Sequence, residues 1–375
     1  MIPTWVKLLG IVVLVEFLFR KLNEKENKNM YNSHDEIQSY HDEEVTLPQS
    51  ERNEMRKRRD TNRKQLKDGL ERDSEPRPTN FQSQGSYAHR TMVQHKDRDY
   101  DIDDGVYFSK NDLKGKKSGD KSAGDAKEMV RKALHRDQFN KPPEVRANCV
   151  RVYYDAGYHA DVPVYREVKG INDSGEEETY YEIASTNWKE SDPVAVNHWF
   201  QEKNKDLSPD EENGRQLRRL TRLLKAFARS RENWRDQITS GFAITTLIIE
   251  ECYCADPIRD DKALYDTMVV MRDRLKSNLE IEHPIIEGEM LTSGPDDAKA
   301  EFLRKKLDQA IEDLEVLFDS NCNREQMLEA WDKVFHTDFF SKLLNDDDAT
   351  GQKGISVSGV TPGSPVNKIG GGRFA

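Results

Sequence analysis

Two aspartates separated by a single residue, Asp101 and Asp103, are the side chains of this sequence best suited to chemistry. Side chains alternate along a β-strand, so both carboxylates of an Asp-x-Asp pair on a strand lie on one face. Hard oxygen ligands placed together in this way suit Mg²⁺, which also takes phosphate oxygens and water. A lone Asp-x-Asp also fits a solvated acidic loop, but the apolar residues after Gly105 favour a strand.

A turn upstream and a third aspartate complete the predicted site. Residues 84–87, Gln-Gly-Ser-Tyr, offer backbone N–H groups and a hydroxyl to a phosphate at the start of a helix. Asp161 follows in an apolar strand, where an unpaired carboxylate is costly to bury. If a neighbouring strand places Asp161 beside Asp101 and Asp103, the three carboxylates need a cation, and two metal ions supply it. The ensemble predicts nucleotidyl transfer from a nucleoside triphosphate.

Composition limits the partners of the protein. A chain of 375 residues is one large domain or two closely packed lobes. Its net charge of −11 argues against tight non-specific binding of nucleic acid, so no stable nucleic-acid partner is expected. The four cysteines lack the spacing of a zinc site and are interpreted as reduced thiols of a cytoplasmic protein.

The elements that must position these residues follow an α+β order. A long charged helix is expected from Leu47 to about Leu70, then a strand and turn, the Asp-x-Asp strand, a helix and a hairpin. The helix before the hairpin is expected at residues 123–134. The second half is predicted to be helical, since apolar residues recur there at helical spacing, with helices expected at 193–201, 214–228, 241–252, 260–277, 297–318 and 324–335. Four segments result: an N-terminal apolar segment and irregular linker (1–46), a catalytic lobe with its long helix (47–190), a helical lobe (191–344) and a disordered tail (345–375).

The N-terminus leaves three alternatives open. Residues 2–19 are almost continuously apolar, but Lys7 and Glu16 interrupt them, and a charge at the centre of a membrane helix costs about 2.5–3.5 kcal/mol. The segment is a spurious extension from an upstream start codon, a weak membrane anchor or a packed helix. Met30 is a plausible alternative start.

The motifs resemble those of a known family. Gln84-Gly85-Ser86, Asp101-Ile-Asp103-Asp104-Gly105 and Asp161-Val-Pro163, in that order, are similar to the motifs of the polymerase-β-like nucleotidyltransferases. More narrowly, they resemble the bacterial cyclic GMP–AMP synthases of the CD-NTase family, which act in anti-phage CBASS signalling. The resemblance continues in residues 188–193, 199–200 and 217–227, and covers roughly Leu47 to Phe340.

This resemblance implies a fold, a metal cofactor and roles for the three aspartates. The fold is a polymerase-β-like palm, with a mixed or antiparallel sheet, plus a helical second lobe, with the nucleotide site in the cleft between them. Asp101 and Asp103 are expected to bind two Mg²⁺ ions, for which Mn²⁺ substitutes. Asp161 is expected to hold the second ion and to help deprotonate the attacking ribose hydroxyl.

The resemblance also implies a set of nucleotide-binding residues. Ser86 and the backbone of Gly85 are expected to clamp the triphosphate, while Arg151, Lys225 and Ser240 match nucleotide or phosphate contacts of the family. From the residues alone, Arg151 is equally well explained as an ordinary charge at a strand edge. On the same basis, Lys225 is explained as a surface lysine on an amphipathic helix, whose ammonium group reaches water. The complete predicted set is Gln84, Gly85, Ser86, Tyr87, Arg151, Lys225 and Ser240.

The implied product is a cyclic GMP–AMP-type dinucleotide made from ATP and GTP. Its implied partners are a downstream effector that responds to the cyclic dinucleotide and, at the C-terminus, ubiquitin-like machinery that conjugates Ala375 to a target. A generic flexible terminus is the alternative for the tail. The rival functions are a nucleotidyltransferase acting on RNA ends or on a protein side chain, a different cyclic oligonucleotide product, and a non-catalytic nucleotide-binding regulator.

Overall fold

The computed structural model describes residues 29–94, 101–115, 119–137, 140–154, 159–171 and 175–344. The predictions for the apolar N-terminal segment and for the tail from residue 345 onward, including Ala375, concern residues outside these ranges. Within these ranges, no helix combines the length and the apolar character needed to cross a membrane.

The described residues form eight strands, which make one mixed sheet in the order β3-β4-β5-β2-β6-β7-β8, with β1 paired to β2. Strand β2 is central, because it pairs in parallel with β5 and β6 along one edge and antiparallel with β1 along the other. The strands are β1 (Asn80–Gln84), β2 (Asp101–Ser109), β3 (Glu144–Val145), β4 (Val150–Tyr153), β5 (His159–Val162), β6 (Val164–Ile171), β7 (Glu177–Ala184) and β8 (Trp188–Glu190).

Ten α-helices surround and follow this sheet in the described part of the chain. They are α1 (His34–Tyr40), α2 (Gln49–Arg72), α3 (Gly85–His89), α4 (Ala123–Leu134), α5 (Pro193–Leu207), α6 (Gln216–Arg229), α7 (Gly241–Leu247), α8 (Asp260–Ser277), α9 (Ala298–Asp313) and α10 (Arg324–Phe335). Helices α1 and α7 each continue into one wider π-helical turn, at His41–Val45 and Ile248–Cys252.

Local sequence explains where several helices begin. The Ser122 hydroxyl accepts the backbone N–H of Asp125 at the start of α4, and the Asp192 carboxylate caps α5 ahead of a proline at its first position. At α10, Asn323 and Gln326 form a reciprocal capping box. The predicted limits of α4, α8 and α10 are confirmed to within one residue at each end.

Two apolar cores hold the two lobes. One lies between the sheet and helices α2 and α4, where Leu66 and Leu70 pack with Val106, Phe108 and Val130. The larger core lies among the helices from α5 to α10, around fully buried aromatic residues such as Phe200, Trp331 and Phe340. The first described residues, 29–45, which include α1, pack against this second core and so join the helical lobe.

The fold class expected from the sequence is therefore confirmed: a mixed sheet with flanking helices and a helical second lobe. One difference is in the apolar run 241–252, which was expected as one helix and instead widens to a π-helical turn after Leu247. Another is in 297–318, where α9 ends at Asp313 and a 3₁₀ turn, Glu315–Phe318, follows.

Candidate functional site

A cavity of about 560 Å³ lies between the sheet and the helical lobe. Such a volume is in the range of small-molecule binding sites. Strands β1 and β2, the short helix α3 and helices α6 and α7 supply most of its walls. The polar and aromatic residues that line it are Gln84, Ser86, His89, Thr91, Asp101, Asp103, Tyr165, Ser191, Asp192, Lys225, Arg229, Ser240, Phe242, Thr245 and His283.

Alternation along β2 decides which aspartates reach this cavity. Asp101 and Asp103 line it, as the period of two requires. Asp104 faces the opposite side of the sheet, where its carboxylate accepts hydrogen bonds from Arg63 at 2.7 and 2.6 Å and from Ser83 at 2.8 Å. The neighbouring carboxylates of the motif thus belong to two different environments.

Asp161 is brought beside this pair but does not line the cavity. Parallel pairing of β2 and β5 sets Asp103 directly opposite Asp161, as the sequence argument required of a neighbouring strand. Asp161 is only 8% exposed, and its carboxylate accepts two hydrogen bonds from Arg151, from Nε and from a terminal nitrogen, both at 2.7 Å. The same guanidinium lies 3.7 Å from Asp101.

The nucleotide contact predicted for Arg151 is therefore not the contact seen in this structure. Antiparallel pairing of β4 and β5 sets Arg151 opposite Asp161, which makes the bidentate ion pair the geometrically natural one. The hydrogen bonds to Asp161 raise the pKa of Arg151 above its ordinary value. Arg151 acts here as the positive charge of the carboxylate cluster.

The turn between β1 and α3 carries the predicted phosphate contacts. Gly85 has a φ of +62°, and a Cβ there would lie 2.7 Å from Asp103 Oδ2, so a side chain would displace the carboxylate. The Gln84 amide donates to the Tyr165 hydroxyl at 3.1 Å, which anchors the turn to β6. Ser86 lines the same cavity as Asp103, and its phosphate contact stays a prediction.

Tyr87 is the member of this turn that points elsewhere. It is absent from the described cavity lining, and its ring packs against a small apolar cluster formed by Leu47, Met55, Met92 and Ile102. The Arg59 guanidinium lies 5.9 Å from the centre of the ring. In this structure Tyr87 supports the turn from behind and does not contact the cavity.

Lys225 and Ser240 approach the cavity from the helical lobe. The Lys225 ammonium donates to the Thr91 carbonyl at 2.8 Å and contacts its hydroxyl at 3.3 Å. Burial, with Arg229 and Arg222 nearby, lowers the pKa of Lys225 to about 7. The Ser240 hydroxyl caps α7 by accepting the Ala243 N–H at 3.1 Å. Both residues line the cavity, and their phosphate contacts stay predictions.

The charges of the site are unbalanced around Asp103. Burial, followed by the negative charges of Asp161 and Asp101, raises the pKa of Asp103 to about 7. Burial also acts on Asp101, but its hydrogen bond with His159, with Arg151 and Arg229 nearby, lowers its pKa overall. The three carboxylates thus compete for too little positive charge, which is the situation that a bound cation relieves.

The donor set fits Mg²⁺ with one rearrangement. No group of three or more carboxylate, histidine or cysteine side chains in the described ranges is arranged to hold a metal ion, and Arg151 occupies both oxygens of Asp161. Asp101 and Asp103 nevertheless present hard oxygen donors on the cavity wall, and Gly85 leaves the space beside Asp103 open. Asp161 would join them once Arg151 moves aside.

Several residues of the site were not assigned a role from the sequence, among them His159, Arg229, Phe242 and His283. His159 Nε2 lies 2.9 Å from Asp101, opposite it on β5. Its position two residues before Asp161 places it on the same face of the strand, so the period-two argument could have found it. Arg229, Phe242 and His283 reach the cavity only through the packing of the helical lobe.

His283 and Phe242 form an edge-to-face aromatic pair at the cavity, with ring centres 5.5 Å apart and planes inclined at 65°. The His283 Nδ1 accepts the backbone N–H groups of Ile285 and Ile286 at 3.1 and 3.0 Å. The proton of the neutral ring is thereby assigned to Nε2. No spacing in the sequence announces this pair, because the two residues come from segments about forty residues apart.

Comparison with known proteins agrees with this geometry. Residues 79–165 match the family described as cyclic GMP-AMP synthase DncV-like, nucleotidyltransferase domain. The matched segment runs from β1 into the start of β6 and includes all three aspartates. A cyclic GMP-AMP synthase of Escherichia albertii is 27% identical over 66% of this chain. That alignment spans 52% of the relative, so the chain matches about half the length of that protein.

Solved structures extend the likeness to both lobes. Vibrio cholerae DncV in complex with the linear intermediate 5′ pppA(3′,5′)pG has a TM-score of 0.64 at 17% identity, covering 82% of this chain and 96% of that one. A DncV variant in complex with ATP, GTP and 5MTHFGLU2 gives the same TM-score at 16% identity and the same coverage. At these identities the likeness establishes the fold. The predicted resemblance to the cyclic GMP–AMP synthases is thus confirmed, by the match of residues 79–165 to the DncV-like nucleotidyltransferase domain and by the shared fold.

Proposed function

Because residues 79–165 form a nucleotidyltransferase domain of the DncV-like family, we propose that this protein synthesises a cyclic dinucleotide of the cyclic GMP–AMP type from ATP and GTP. The observation that carries the proposal is the meeting of Asp101 and Asp103 with the Gly85-Ser86 turn in one cavity. Carboxylates that hold a metal ion and a turn that binds phosphate are the two parts that nucleotidyl transfer needs.

The proposed reaction consists of two successive phosphoryl transfers. In each, a ribose hydroxyl attacks the α-phosphorus of a nucleoside triphosphate in line, the new O–P bond forms, and the bond to pyrophosphate breaks. The first transfer gives a linear dinucleotide, and the second closes the ring. The hydroxyl proton passes to Asp161, which must first be released from Arg151.

The residues of the chain contribute mainly by positioning and charge. Gly85 and Ser86 hold the triphosphate against β2, while Lys225 and Arg229 place positive charge on the opposite wall of the cavity. Asp101 and Asp103 would hold the metal ions, which when bound would supply charge stabilisation at the attacking and leaving oxygens. Phe242 and His283 are the aromatic groups available to a nucleobase.

The proposal is tested by incubating the full chain with ATP, GTP, CTP and UTP and Mg²⁺, followed by phosphatase treatment and mass analysis. A phosphatase-resistant product with the mass of cyclic GMP–AMP is expected. Asp103→Asn removes a carboxylate from the cavity wall and is expected to abolish the product without unfolding the protein. Asp104→Asn, one residue away on the other face of β2, is the matched control and is expected to retain synthesis.

Other outcomes separate the rival functions. Full product from a folded Asp103→Asn variant would contradict the assignment of the carboxylates. A phosphatase-resistant product of another mass would change the bases or ring size and keep the chemistry. Transfer of nucleotides only to added RNA or protein would replace the proposal by one of the rival transferases.

The biological setting is part of the same proposal. The DncV-like domain supports a role in anti-phage CBASS signalling, with an effector that responds to the cyclic dinucleotide as the downstream partner. Conjugation of Ala375 by ubiquitin-like machinery stays a prediction from the sequence. It is tested by asking whether Ala375→Asp prevents formation of a covalent adduct in cells that contain the operon partners.

A further inference from the structure

Three basic residues of α6 hold three consecutive backbone carbonyls of the other lobe. Arg218 Nε donates to the His89 carbonyl at 3.0 Å, Arg222 Nε to the Arg90 carbonyl at 2.8 Å, and Lys225 Nζ to the Thr91 carbonyl at 2.8 Å. The three positions are spaced by four and three residues, so they lie along one face of the helix. We call Arg218, Arg222 and Lys225 the cation ladder.

The carbonyls that the ladder holds belong to residues 89–91. This segment follows the phosphate turn, which comprises residues 84–87. Arg90 adopts a left-handed conformation, with a φ of +57°, at the end of α3. An irregular backbone of this kind leaves carbonyls without helical partners, and the ladder satisfies them. The Thr91 N–H in turn donates to the Ser86 carbonyl at 2.9 Å, which links the ladder to the turn itself.

Helix α5 contacts the chain both before and after the phosphate turn. The Asn197 amide donates to the Ser83 carbonyl at 3.0 Å, and the Phe200 ring stacks on His89 with centres 4.4 Å apart. The Arg218 guanidinium lies 5.6 Å from the centre of that Phe200 ring. Residues 83–91 are therefore held by the helical lobe on both sides of Ser86.

The arginines of the ladder are buried and pair with neutral groups. Arg218 and Arg222 are 8% and 3% exposed. Their hydrogen bonds within the described ranges go to carbonyls, an amide, an imidazole and a hydroxyl, none of them to a carboxylate. Burial, with other arginines nearby, lowers the pKa of Arg218 to about 10 and of Arg222 to about 9.

Such an arrangement costs stability, because a buried charge is ordinarily paired. Arg219, the next residue on the same helix, shows the ordinary solution: it pairs with Asp260 at 2.6 Å and with Asp210 at 2.8 Å. The unpaired positive charge of the ladder stands directly behind the turn that faces the cavity. It adds positive charge close to the turn at which a polyphosphate would be bound.

We infer that Arg218 and Arg222 are positioning residues for the triphosphate-binding turn. Neither of them lines the cavity, so they act through the backbone of residues 89–91 on Ser86 and not by contact with the nucleotide. The inference rests on the proposed function, since it assigns the ladder to the binding of a nucleoside triphosphate. It predicts that the ladder determines the affinity of the protein for the triphosphate and does not change the rate at which the bound triphosphate reacts.

The test compares neighbouring arginines of α6 in the full chain. Binding of a non-hydrolysable ATP analogue and of adenosine is measured by calorimetry with Mg²⁺, alongside urea unfolding. Arg222→Gln is expected to weaken binding of the ATP analogue by roughly tenfold and binding of adenosine far less. Arg222→Lys keeps the charge and one donor and is expected to restore most of the affinity.

Arg219→Gln is the matched control, because it removes an equally buried arginine that does not touch residues 89–91. It is expected to lower stability while leaving affinity for the ATP analogue within twofold of the wild type. If Arg222→Gln does not fold, Arg218→Gln takes its place with the same expected result, a loss of roughly tenfold.

Two results would overturn the inference. One is equal loss of affinity in Arg219→Gln and Arg222→Gln, which would make the ladder a general structural element. The other is wild-type affinity in a folded Arg222→Gln variant. A wild-type protein that does not bind the ATP analogue at all would instead overturn the proposed function, and the inference with it.

Discussion

At the scale of single residues, the ion pair between Arg151 and Asp161 carries the most information about the site. Three carboxylates meet at β2 and β5, and the guanidinium is the cation that Asp161 and Asp101 share in this structure. A bound Mg²⁺ ion would compete with it for Asp161. The pair is therefore expected to connect the stability of the metal-free protein with its affinity for metal ions.

This connection gives a prediction for metal removal. When a chelator has removed metal ions, Arg151→Gln is expected to lower the free energy of unfolding by about 2 kcal/mol relative to the wild type, because the carboxylates lose their counter-charge. Added Mg²⁺ is expected to restore more stability to this variant than to the wild type. Urea unfolding with and without Mg²⁺ measures both effects.

The control is Arg166→Gln, which breaks an ion pair with Glu182 on β6 and β7, away from the cavity. Its loss of stability is expected to be the same with and without Mg²⁺. An equal Mg²⁺ increment in the wild type and in Arg151→Gln would show that the arginine does not compete with the ion.

At the scale of elements, the turn from β1 into α3 is the part of the site that tolerates least change. Its shape depends on Gly85, whose positive φ and close approach to Asp103 both exclude a side chain. The turn and β2 are adjacent because Gln84 pairs with Asp103 in the antiparallel register. Phosphate turn and metal-binding strand are thus one structural unit.

Gly85→Ala is accordingly expected to reduce nucleotide synthesis by more than tenfold, by displacing the Asp103 carboxylate, and to lower the free energy of unfolding by about 1–3 kcal/mol. Steady-state kinetics and urea unfolding check the two parts. Gly175→Ala is the control, since Gly175 also has a positive φ, +81°, but no described residue outside its chain neighbours lies within 4 Å of its added Cβ. It is expected to cost stability only, and equal loss of synthesis in both variants would contradict the argument.

At the scale of the whole molecule, the two lobes are joined by contacts that converge on residues 83–91. His89 lies at the centre of this junction, 3% exposed and stacked on Phe200 of the helical lobe. Burial, followed by the positive charges of Lys225 and Arg218, lowers the pKa of His89 to about 4. The junction therefore holds this histidine neutral.

The sign of the resulting pH dependence follows from the depressed pKa. An unfolded chain protonates histidine near pH 6.5, so the contribution of His89 to stability is complete above that pH and is lost as the pH falls toward 4. Between pH 7.5 and pH 5 the loss is about 2 kcal/mol. His89→Phe keeps the stacking and removes the titration, so its free energy of unfolding is expected to fall less over this range. Parallel urea titrations measure it, and identical pH dependence in both proteins would contradict the assignment.

The sequence by itself determined the α+β class, several helix limits and the strand positions of the three aspartates, because these depend on periodicity and on local capping. The alternation along β2 alone places Asp101 and Asp103 on one face, and the apolar residues around Asp161 indicate a buried strand. The Gly-Ser turn was likewise recognisable, since its chemistry resides in four consecutive residues.

The contacts that each side chain makes were determined only by the tertiary structure. The register between β4 and β5 turned Arg151 toward Asp161, and the packing of Leu47, Met55 and Met92 drew Tyr87 away from the cavity. The cation ladder is beyond any local pattern, because it joins residues more than one hundred positions apart. Spacing along the chain fixes which face of an element a residue occupies, whereas the partner of that face depends on long-range packing, which no local spacing encodes.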